Sequence, residues 1–482
     1  MSFYDRAIAG LFPDYGVKRL QARQVVAAYE AAKTSRTHKP RREGRGPSVS
    51  SGESAVSLRE QGRYLEENND IAKGALDILV ARTVGMGIIP EFMVEDADGN
   101  LLDEVNERLS ELYEEWCRHP EVTRDYDETA AQRISARTFF RDGEILTQHL
   151  VGSVPNLDHG SLVPYSYEMI EADQLPMDYN NVTPRIVSGV ELNGWGRATA
   201  YHMLKGDPND VGRIARFMND TRVISASRIT HLKNTKRIRQ VRGVSVFAVV
   251  LKRLQDINEI DETERVATRM AAAMAVYIKK GDPTLYSPSV NASGEPAEQR
   301  EIGFEPGMVI DDLMPGEEIG SIDSNRPNNQ LIPFKENQIR HLSGGIGVSN
   351  SSLSKNYNGS YSSQRQELVE QHDIYGVMWK YFVERGERPK IENFTRMAIA
   401  AGLVKIPPTA KQTTLLNVNF SRPAMPWIQP LQEANGWLKL KEGRIESTSE
   451  IIRSRGRSPR IVRKQLQRED KQNAIDNPEP TV

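Results

Sequence analysis

Histidine and cysteine often mark metal sites or nucleophiles, and their spacing here favours neither. The eight histidines are scattered, and no two lie four residues apart, the spacing that places two metal ligands on one helix face. Cys117 is the single cysteine, so one chain can form no internal disulfide and no thiolate cluster. It follows Trp116 at the end of an apolar pattern, which predicts a buried thiol. We therefore predict no metal and no cofactor.

Other polar patterns also fail to predict catalysis. The run Gly344-Gly345-Ile346-Gly347 lacks the Lys-Ser/Thr pair of a phosphate-binding loop and follows a predicted helix instead of a strand. The serine-rich stretch 349–363 has no base nearby in the sequence. The carboxylates of Asp311, Asp312, Glu317 and Glu318 are more typical of a solvated acidic face than of an acid/base pair. We predict that the protein is not an enzyme. His372, Trp195 and Trp379 are interpreted as packing residues.

Composition predicts a soluble, multidomain chain. At about 150 residues per domain, 482 residues suggest roughly three domains. The chain is 38% hydrophobic and 27% charged, and it contains no apolar run of bilayer-spanning length. The first residues lack the apolar stretch of a secretory signal, so we expect a cytoplasmic location and no membrane partner.

The net charge of -2 is a cancellation between segments. Residues 1–50 hold ten basic and four acidic residues, and residues 451–471 hold eight and two, so each segment has a net charge of +6. Residues 281–325 hold ten acidic residues against Arg300, a net of -9. Basic ends can bind nucleic acid or simply remain solvated, and the sequence leaves both readings open.

The periodicity of apolar residues predicts helices, then strands, then helices. A flexible arm is expected at residues 34–57, which are poor in apolar residues. The 3-4-3-4 spacing in 101–116 predicts a helix, and alternating runs between residues 144 and 229 predict a β-rich region with a hairpin at Asn193-Gly194. A long helix is expected over 246–278, packed on similar helices or spanning a domain.

Further helices are predicted in the second half of the chain. One covers about 334–342, and the next opens at a capping box, Ser363-x-x-Gln366, and ends at Gly386 and Pro389. Between them lies a polar loop, 347–362, in which Lys355 is the only charged residue. Two more helices are expected near 431–440 and 448–466.

The segment 341–365, HLSGGIGVSNSSLSKNYNGSYSSQR, resembles the signature of lambda-type tailed-phage portal proteins. In that family a helix ends in Gly-x-Gly-Val-Ser, and Leu-Ser, a charged residue, Asn or Asp, and Tyr follow before Tyr-Ser-Ser/Thr and a helix that carries an Arg. The runs 166–175, 189–192 and 200–202 are similar to the family's strands, and 427–430 fits its C-terminal part.

The resemblance implies an α+β portal-type subunit, with a β-rich wing, long stem helices, a small clip and an α-helical C-terminal crown. Copies would assemble into a ring, usually of twelve, at one capsid vertex. The implied divisions are 1–58 N-terminal helix and basic arm, 59–244 wing, 245–278 first stem helix, 279–325 acidic clip, 326–346 second stem helix, 347–362 tunnel loop, 363–400 wing helix and 401–482 crown.

The same resemblance implies a channel for DNA packaging and ejection, and a set of partners. The tunnel loop would face double-stranded DNA without reading its sequence, through Ser349, Asn350, Ser354, Lys355, Asn356, Tyr357, Asn358 and Arg365. The clip would dock the terminase large subunit or a head–tail connector through Asp311, Asp312, Glu317 and Glu318. Capsid and scaffold proteins would be further partners. The location would be the virion, after assembly in the host cytoplasm. The alternative is a nucleic-acid-processing enzyme with basic ends.

Overall fold

The computed structural model describes residues 44–206, 221–272, 276–280, 317–321, 330–424 and 429–476. Residues 1–50 and 51–482 form separate units, and the contacts below lie in the second. Within the described ranges, no helix combines the length and apolar character that a bilayer crossing needs. The predicted N-terminal helix near residues 17–29, the clip residues Asp311 and Asp312, and the C-terminal tail lie outside the described residues.

Four helices form the first part of the fold: α1 Pro47–Asn68, α2 Asp70–Thr83, α3 Asp103–Trp116 and α4 Glu128–Asp142. The prediction of a helix over 101–116 is confirmed by α3. The predicted arm is wrong from residue 47 onward, because α1 is tied down by tertiary contacts. Ala55 and Leu65 are buried, and Arg59 pairs with Asp173 at 2.8 Å. These contacts outweigh the weak helix propensity of the serine-rich segment.

The β-rich region is confirmed as two antiparallel sheets. The strands are β1 Pro90–Phe92, β2 Glu144–Val151, β3 Tyr165–Ile170, β4 Ile186–Val187, β5 Val190–Leu192, β6 Ala198–Leu204, β7 Thr221–Ser225 and β8 Ile229–Lys233. One sheet has the order β3-β2-β8 and the other β4-β5-β6-β7. The predicted hairpin joins β5 to β6, where Asn193 donates its backbone N–H to the Arg197 carbonyl. The turn takes its positive φ at Gly196, not at Gly194.

The main core is centred on aromatic rings that join α3 to the first sheet. Trp116 stacks on Tyr165 at 5.5 Å between ring centroids and donates its indole N–H to the Tyr165 carbonyl at 2.8 Å. Phe394, from a helix late in the chain, contacts the same tryptophan. A smaller core lies between the two sheets around Leu146, Tyr201 and Met203.

A buried charge cluster, the Glu144 centre, ties α1 and the loop after β8 to the start of β2. It consists of Glu144, Arg242, His231 and Arg59, each at most 3% exposed at its side chain. The Arg242 guanidinium approaches the Glu144 carboxylate to 2.6 Å and also donates to the Leu175, Ser188 and Ala172 carbonyls. Burial alone would raise the pKa of Glu144, but Arg242 and His231 hold it well below its usual range.

The two predicted stem helices are α5 Leu251–Ala272 and α6 Leu331–Ile346. Arg253 donates to Gln338 at 3.0 Å and Lys335 pairs with Asp261 at 2.5 Å, so the helices run antiparallel. The prediction of one helix over 246–278 is wrong at its end, where Val276–Lys280 (β9) pairs with Glu317–Ser321 (β10). Val276, Tyr277 and Ile278 are β-favouring residues, and the strand partner decides their conformation. The acidic segment 281–325 therefore contains one strand of this sheet, β10.

After α6, the chain forms the helices α7 Asn350–Ser354, α8 Tyr361–Phe382 and α9 Arg388–Ala400. The predicted capping box is wrong, because the Ser360 side chain accepts from Ser363 N and caps α8 three residues earlier. The predicted stop at Gly386 and Pro389 is also wrong. One π-helical turn, Val383–Glu387, continues the helix into α9, whose first turn contains Pro389.

The π-helical turn places Glu387 in a second buried cluster, the Glu128 centre, which consists of Glu128, Glu387 and Lys390. The Lys390 ammonium donates to Glu387 at 2.8 Å and lies 3.5 Å from Glu128, and Tyr167 donates its hydroxyl to Glu128 at 2.7 Å. Two carboxylates thus share one lysine. Burial and the charge of Glu387 raise the pKa of Glu128 to about 7, while Lys390 opposes the shift.

The C-terminal part contains β11 Val418–Phe420, which pairs with β1, and the helices α10 Pro430–Glu442, α11 Thr448–Ser454 and α12 Pro459–Asp476. The helix predicted over 448–466 is therefore two helices, separated at Gly456, which has φ 70°. Two of the smaller predictions are confirmed, since Cys117 is largely covered and Trp379 packs against the main core. Trp195 is 90% exposed, so its assignment as a packing residue is wrong.

Candidate functional site

The loop between α6 and α8 begins at two glycines with different structural roles. A Cβ on Gly345 would lie 2.6 Å from Val250 Cγ1, so this glycine lets α6 approach the start of α5. Gly347 has φ 85° and ends α6, donating its N–H to the Ser343 carbonyl at 2.8 Å. The glycine run, which superficially resembles a phosphate loop, therefore serves helix packing and helix termination.

The root of the loop is fixed by Glu367 of α8. Its carboxylate accepts hydrogen bonds from the Ser349 hydroxyl at 2.7 Å, the Ser351 N–H at 3.1 Å and the Ser351 hydroxyl at 2.5 Å. Burial acts to raise the pKa of Glu367, but these donors outweigh it and lower the pKa. A carboxylate held in its charged form thus anchors a loop whose own sequence contains no acid.

Two more residues of α8 hold the same root. Gln371 donates its side-chain amide to the Gly347 carbonyl at 2.7 Å, and the Ser349 N–H donates to the Tyr375 hydroxyl at 3.2 Å. Glu367, Gln371 and Tyr375 recur every four residues and so share one face of α8. Sequence reasoning missed these three residues. Their four-residue spacing on a helix just after the loop was the available signal.

The tip of the loop is more exposed than its root. Lys355 is exposed and follows α7 in a left-handed conformation, with φ 55°. Tyr357 is 58% exposed, and Asn358 and Arg365 are exposed as well. Asn356 donates its amide to Glu336 at 3.1 Å, which ties this side of the tip to α6.

The structure separates the eight predicted loop residues into two groups. Lys355, Tyr357, Asn358 and Arg365 are exposed. Ser349 is 9% exposed and caps α7, accepting a hydrogen bond from Ser352 N, while Ser354 donates back to the Asn350 carbonyl at 2.8 Å. Ser349, Asn350, Ser354 and Asn356 are half-buried or buried, so they shape the loop more than they face solvent.

The four predicted clip residues lie only partly in the described region. Glu317 and Glu318 begin β10, opposite Lys280 and Lys279 of β9 in the backbone register. Glu318 is exposed. Lys279 and Lys280 lie just before the segment 281–325, which has a net charge of -9. Their strand β9 therefore pairs with the acidic strand β10 of that segment.

No group of three or more His, Cys, Asp or Glu side chains in the described ranges is placed to hold a metal ion. His372 is half-buried against Arg422, and burial followed by that guanidinium lowers its pKa. The polar clusters of the described region are therefore ion pairs and helix caps.

The sequence is similar to that of known proteins. The model of the phage portal protein family, lambda type, matches residues 33–378. The chain belongs to this family. It is a phage portal protein, as the resemblance of segment 341–365 predicted. The family is one of structural proteins, and membership places the protein in the virion capsid.

Two phage portal proteins and one solved structure are among the proteins similar to the chain. The chain is 24% identical over 433 residues to the probable portal protein of Halomonas phage phiHAP-1, covering 88% of this chain and 82% of the relative. It is 24% identical over 216 residues to portal protein B of Escherichia phage lambda, covering 41% of this chain and 39% of that protein. A solved structure, the neck of a native GTA particle computed with C12 symmetry, aligns with TM-score 0.46 and 12% identity over 84% of this chain and 94% of that chain.

Proposed function

We propose that copies of this portal protein form a ring, with twelve as the expected number, around a channel for double-stranded DNA. The observation that carries the proposal is a loop fixed at its root and exposed at its tip, next to paired stem helices, in a chain of the portal family. In this proposal, α5 and α6 are the stem, the sheets are the wing and the C-terminal helices are the crown.

The charge of the loop suits a duplex that must slide. Each Lys or Arg that contacts a phosphate releases counterions and adds affinity, so many such contacts would hold the DNA in place. Lys355 is the only charged residue between Gly347 and Gln364. With Lys355 at the tip and Arg365 in the first turns of α8, each subunit offers two exposed cations, which would give weak contacts that depend on the phosphates and not on the base sequence.

The backbone of Lys355 supports a role for its charge. A residue other than glycine in the left-handed region costs about 1 to 2 kcal/mol, and glycine or asparagine is the usual choice at such a helix end. A lysine at φ 55° is therefore not the most stable choice for ending α7.

Two substitutions at this position separate charge from folding. We expect Lys355→Gly to keep or raise stability and Lys355→Glu to leave rings intact, while both lower DNA packaging or retention, with the larger loss for glutamate. Lys405→Glu, at an exposed lysine far along the sequence, is the matched control and should package normally. Packaging by Lys355→Glu at the level of the control would refute the assignment.

The acidic insertion is the proposed docking site for the terminase large subunit during packaging and for a head–tail connector afterwards. Charge reversal at Asp311, Asp312, Glu317 and Glu318 should abolish this binding in a pull-down, while reversal of Lys279 and Lys280 should not. Undiminished binding by the first variant would rule the site out.

Assembly itself is tested most directly by imaging. We expect negative-stain micrographs of the purified protein to show rings. In the host, such rings would form in the cytoplasm before capsid and scaffold proteins join them. Small particles alone at high protein concentration would contradict ring formation.

A further inference from the structure

The basic C-terminal helix α12 lies against the acidic face of α3. Lys464 pairs with Glu107, and Arg460 lies 3.8 Å from Glu114. The later cation meets the earlier carboxylate, so the two helices run antiparallel. Part of the C-terminal charge of +6 thus faces carboxylates about 350 positions earlier in the chain.

These ion pairs are open to solvent. The side chains of Lys464 and Glu107 are 46% and 45% exposed, and Glu114 is 70% exposed. Ion pairs this exposed contribute little to stability. Salt weakens them further, because the Debye length is about 10 Å at 0.1 M ionic strength.

Apolar burial adds little to this contact. Of the α12 residues 459–470, whose exposure the structure describes, Pro459 is the only buried one, and Leu466 is 51% exposed. The preceding helix α11 is held more firmly, since Arg453 is 17% exposed and bonds to Glu91 at 2.8 Å. Arg463 of α12 also donates to the Ser449 hydroxyl of α11 at 2.6 Å, so α12 is held mainly by exposed polar contacts to α3 and α11.

The cations of α12 suit a polyanion better than they suit α3. Arg460, Arg463, Lys464 and Arg468 lie three or four residues apart and share one side of the helix. Glu107 and Glu114 are about 10 Å apart along α3, at 1.5 Å per residue. Duplex DNA carries a negative charge about every 1.7 Å of its axis, so it presents many more anions over the same length.

We propose that α12 is an electrostatic clasp, held on α3 in the DNA-free protein and transferred to the phosphates of double-stranded DNA when a duplex is present. The acidic face of α3 then acts as an internal competitor that keeps the basic helix from binding nucleic acid prematurely. The clasp depends on the proposed function in one respect, namely that a DNA duplex must come near the C-terminal helices.

The test uses the full-length protein and a fluorescent duplex of random sequence, with binding measured by anisotropy. Glu107→Gln/Glu114→Gln removes the competitor and should bind DNA about fivefold to tenfold more tightly than the wild type. The double variant Arg460→Gln/Lys464→Gln should bind DNA at least tenfold more weakly. The slope of its log affinity against log salt concentration should correspond to about two fewer phosphate contacts.

Glu384→Gln is the matched control, because Glu384 is 41% exposed, pairs with Arg388 four residues later and does not belong to α3. It should bind as the wild type does. Equal affinity of wild type and Glu107→Gln/Glu114→Gln, or no measurable binding by any variant, overturns the clasp.

A readout without DNA separates the clasp from ring formation. Hydrogen exchange in residues 459–470 should speed up in Glu107→Gln/Glu114→Gln and in the wild type at high salt. Unchanged exchange under both conditions also overturns the clasp. Ring formation is decided separately by micrographs of the same samples.

Discussion

The Glu144 centre and the contact between α3 and α12 are both built from Arg or Lys paired with carboxylates, yet they differ in almost every physical respect. Glu144 is fully buried, and it accepts hydrogen bonds from Arg242 at 2.8 Å, the Gly243 N–H at 2.7 Å and His231 at 3.0 Å. The pairs on α12 are exposed, and each carboxylate meets one cation. The same chemistry therefore gives a permanent tie in one place and a contact that salt can release in the other.

The difference shows how burial sets the consequence of losing a partner. Removing one member of a buried pair leaves a charge without water or counter-charge, whereas an exposed partner is replaced by solvent. The Glu128 centre stands between the two, since it is buried but has two carboxylates for one lysine.

The largest effect is expected at the Glu144 centre. Arg242→Ala should lower the free energy of unfolding by about 3 to 5 kcal/mol, because the buried carboxylate loses its main partner and three carbonyls lose their donor. Urea denaturation measures this. Arg396→Ala, which breaks an exposed pair on α9, should lose less than about 1 kcal/mol. Similar losses of unfolding free energy in the two variants would contradict the difference between buried and exposed ion pairs.

An intermediate, pH-dependent effect is expected at the Glu128 centre. The pKa of Glu128 is about 7 in the folded protein against an ordinary value of 4.5, so between these values the folded state keeps a proton that the unfolded chain releases. Its contribution to stability is therefore present at low pH and lost as the pH rises to about 7. From pH 4.5 to 8, wild type should lose about 3 kcal/mol relative to Glu128→Gln.

The comparison with Glu128→Gln isolates this group. Burial lowers the pKa of His149 to about 4 and also lowers that of His231, which gives the opposite slope, but both proteins share these histidines. Denaturation curves at several pH values provide the difference. Parallel stability profiles of the two proteins would contradict the assignment.

The smallest effect is expected at the clasp. A double-mutant cycle of Glu107→Gln and Lys464→Gln, measured by hydrogen exchange of α12, should give a coupling of at most about 1 kcal/mol at low salt. The coupling should vanish near 1 M salt, where the Debye length is about 3 Å. A coupling that persists at 1 M salt would mean that these ion pairs behave like the buried ones.

Several features could be predicted from sequence because their causes are local. The apolar spacing of α3 follows from its one buried face, and the segment 341–365 identified the family. Other features depend on distant partners. The apolar spacing that predicts a helix over 246–278 extends into β9, and these residues form a strand because they pair with β10. The π-helical turn at Gly386 places Glu387 where it pairs with Lys390.

The candidate site divides in the same way. Lys355 stood out as the single charge of a polar loop, and its exposure fits that prediction. The residues that hold the loop, Glu367, Gln371 and Tyr375, belong to the next helix, and no pattern within the loop points to them. The basic C-terminus suggested a nucleic-acid contact or a solvated tail, and only the fold shows that α3 occupies two of its cations.

The close contact of Gly345 with Val250 makes α6 a lever with unequal arms. The contact lies two residues from Gly347, at the root of the loop, while Leu331 at the other end of α6 is 14 residues away, or about 21 Å at 1.5 Å per residue. A tilt of α6 by about 5° around this fulcrum would move Leu331 by about 2 Å and the loop root far less. A small displacement at the root of the loop is thus geometrically magnified at the end of α6 that leads to β10.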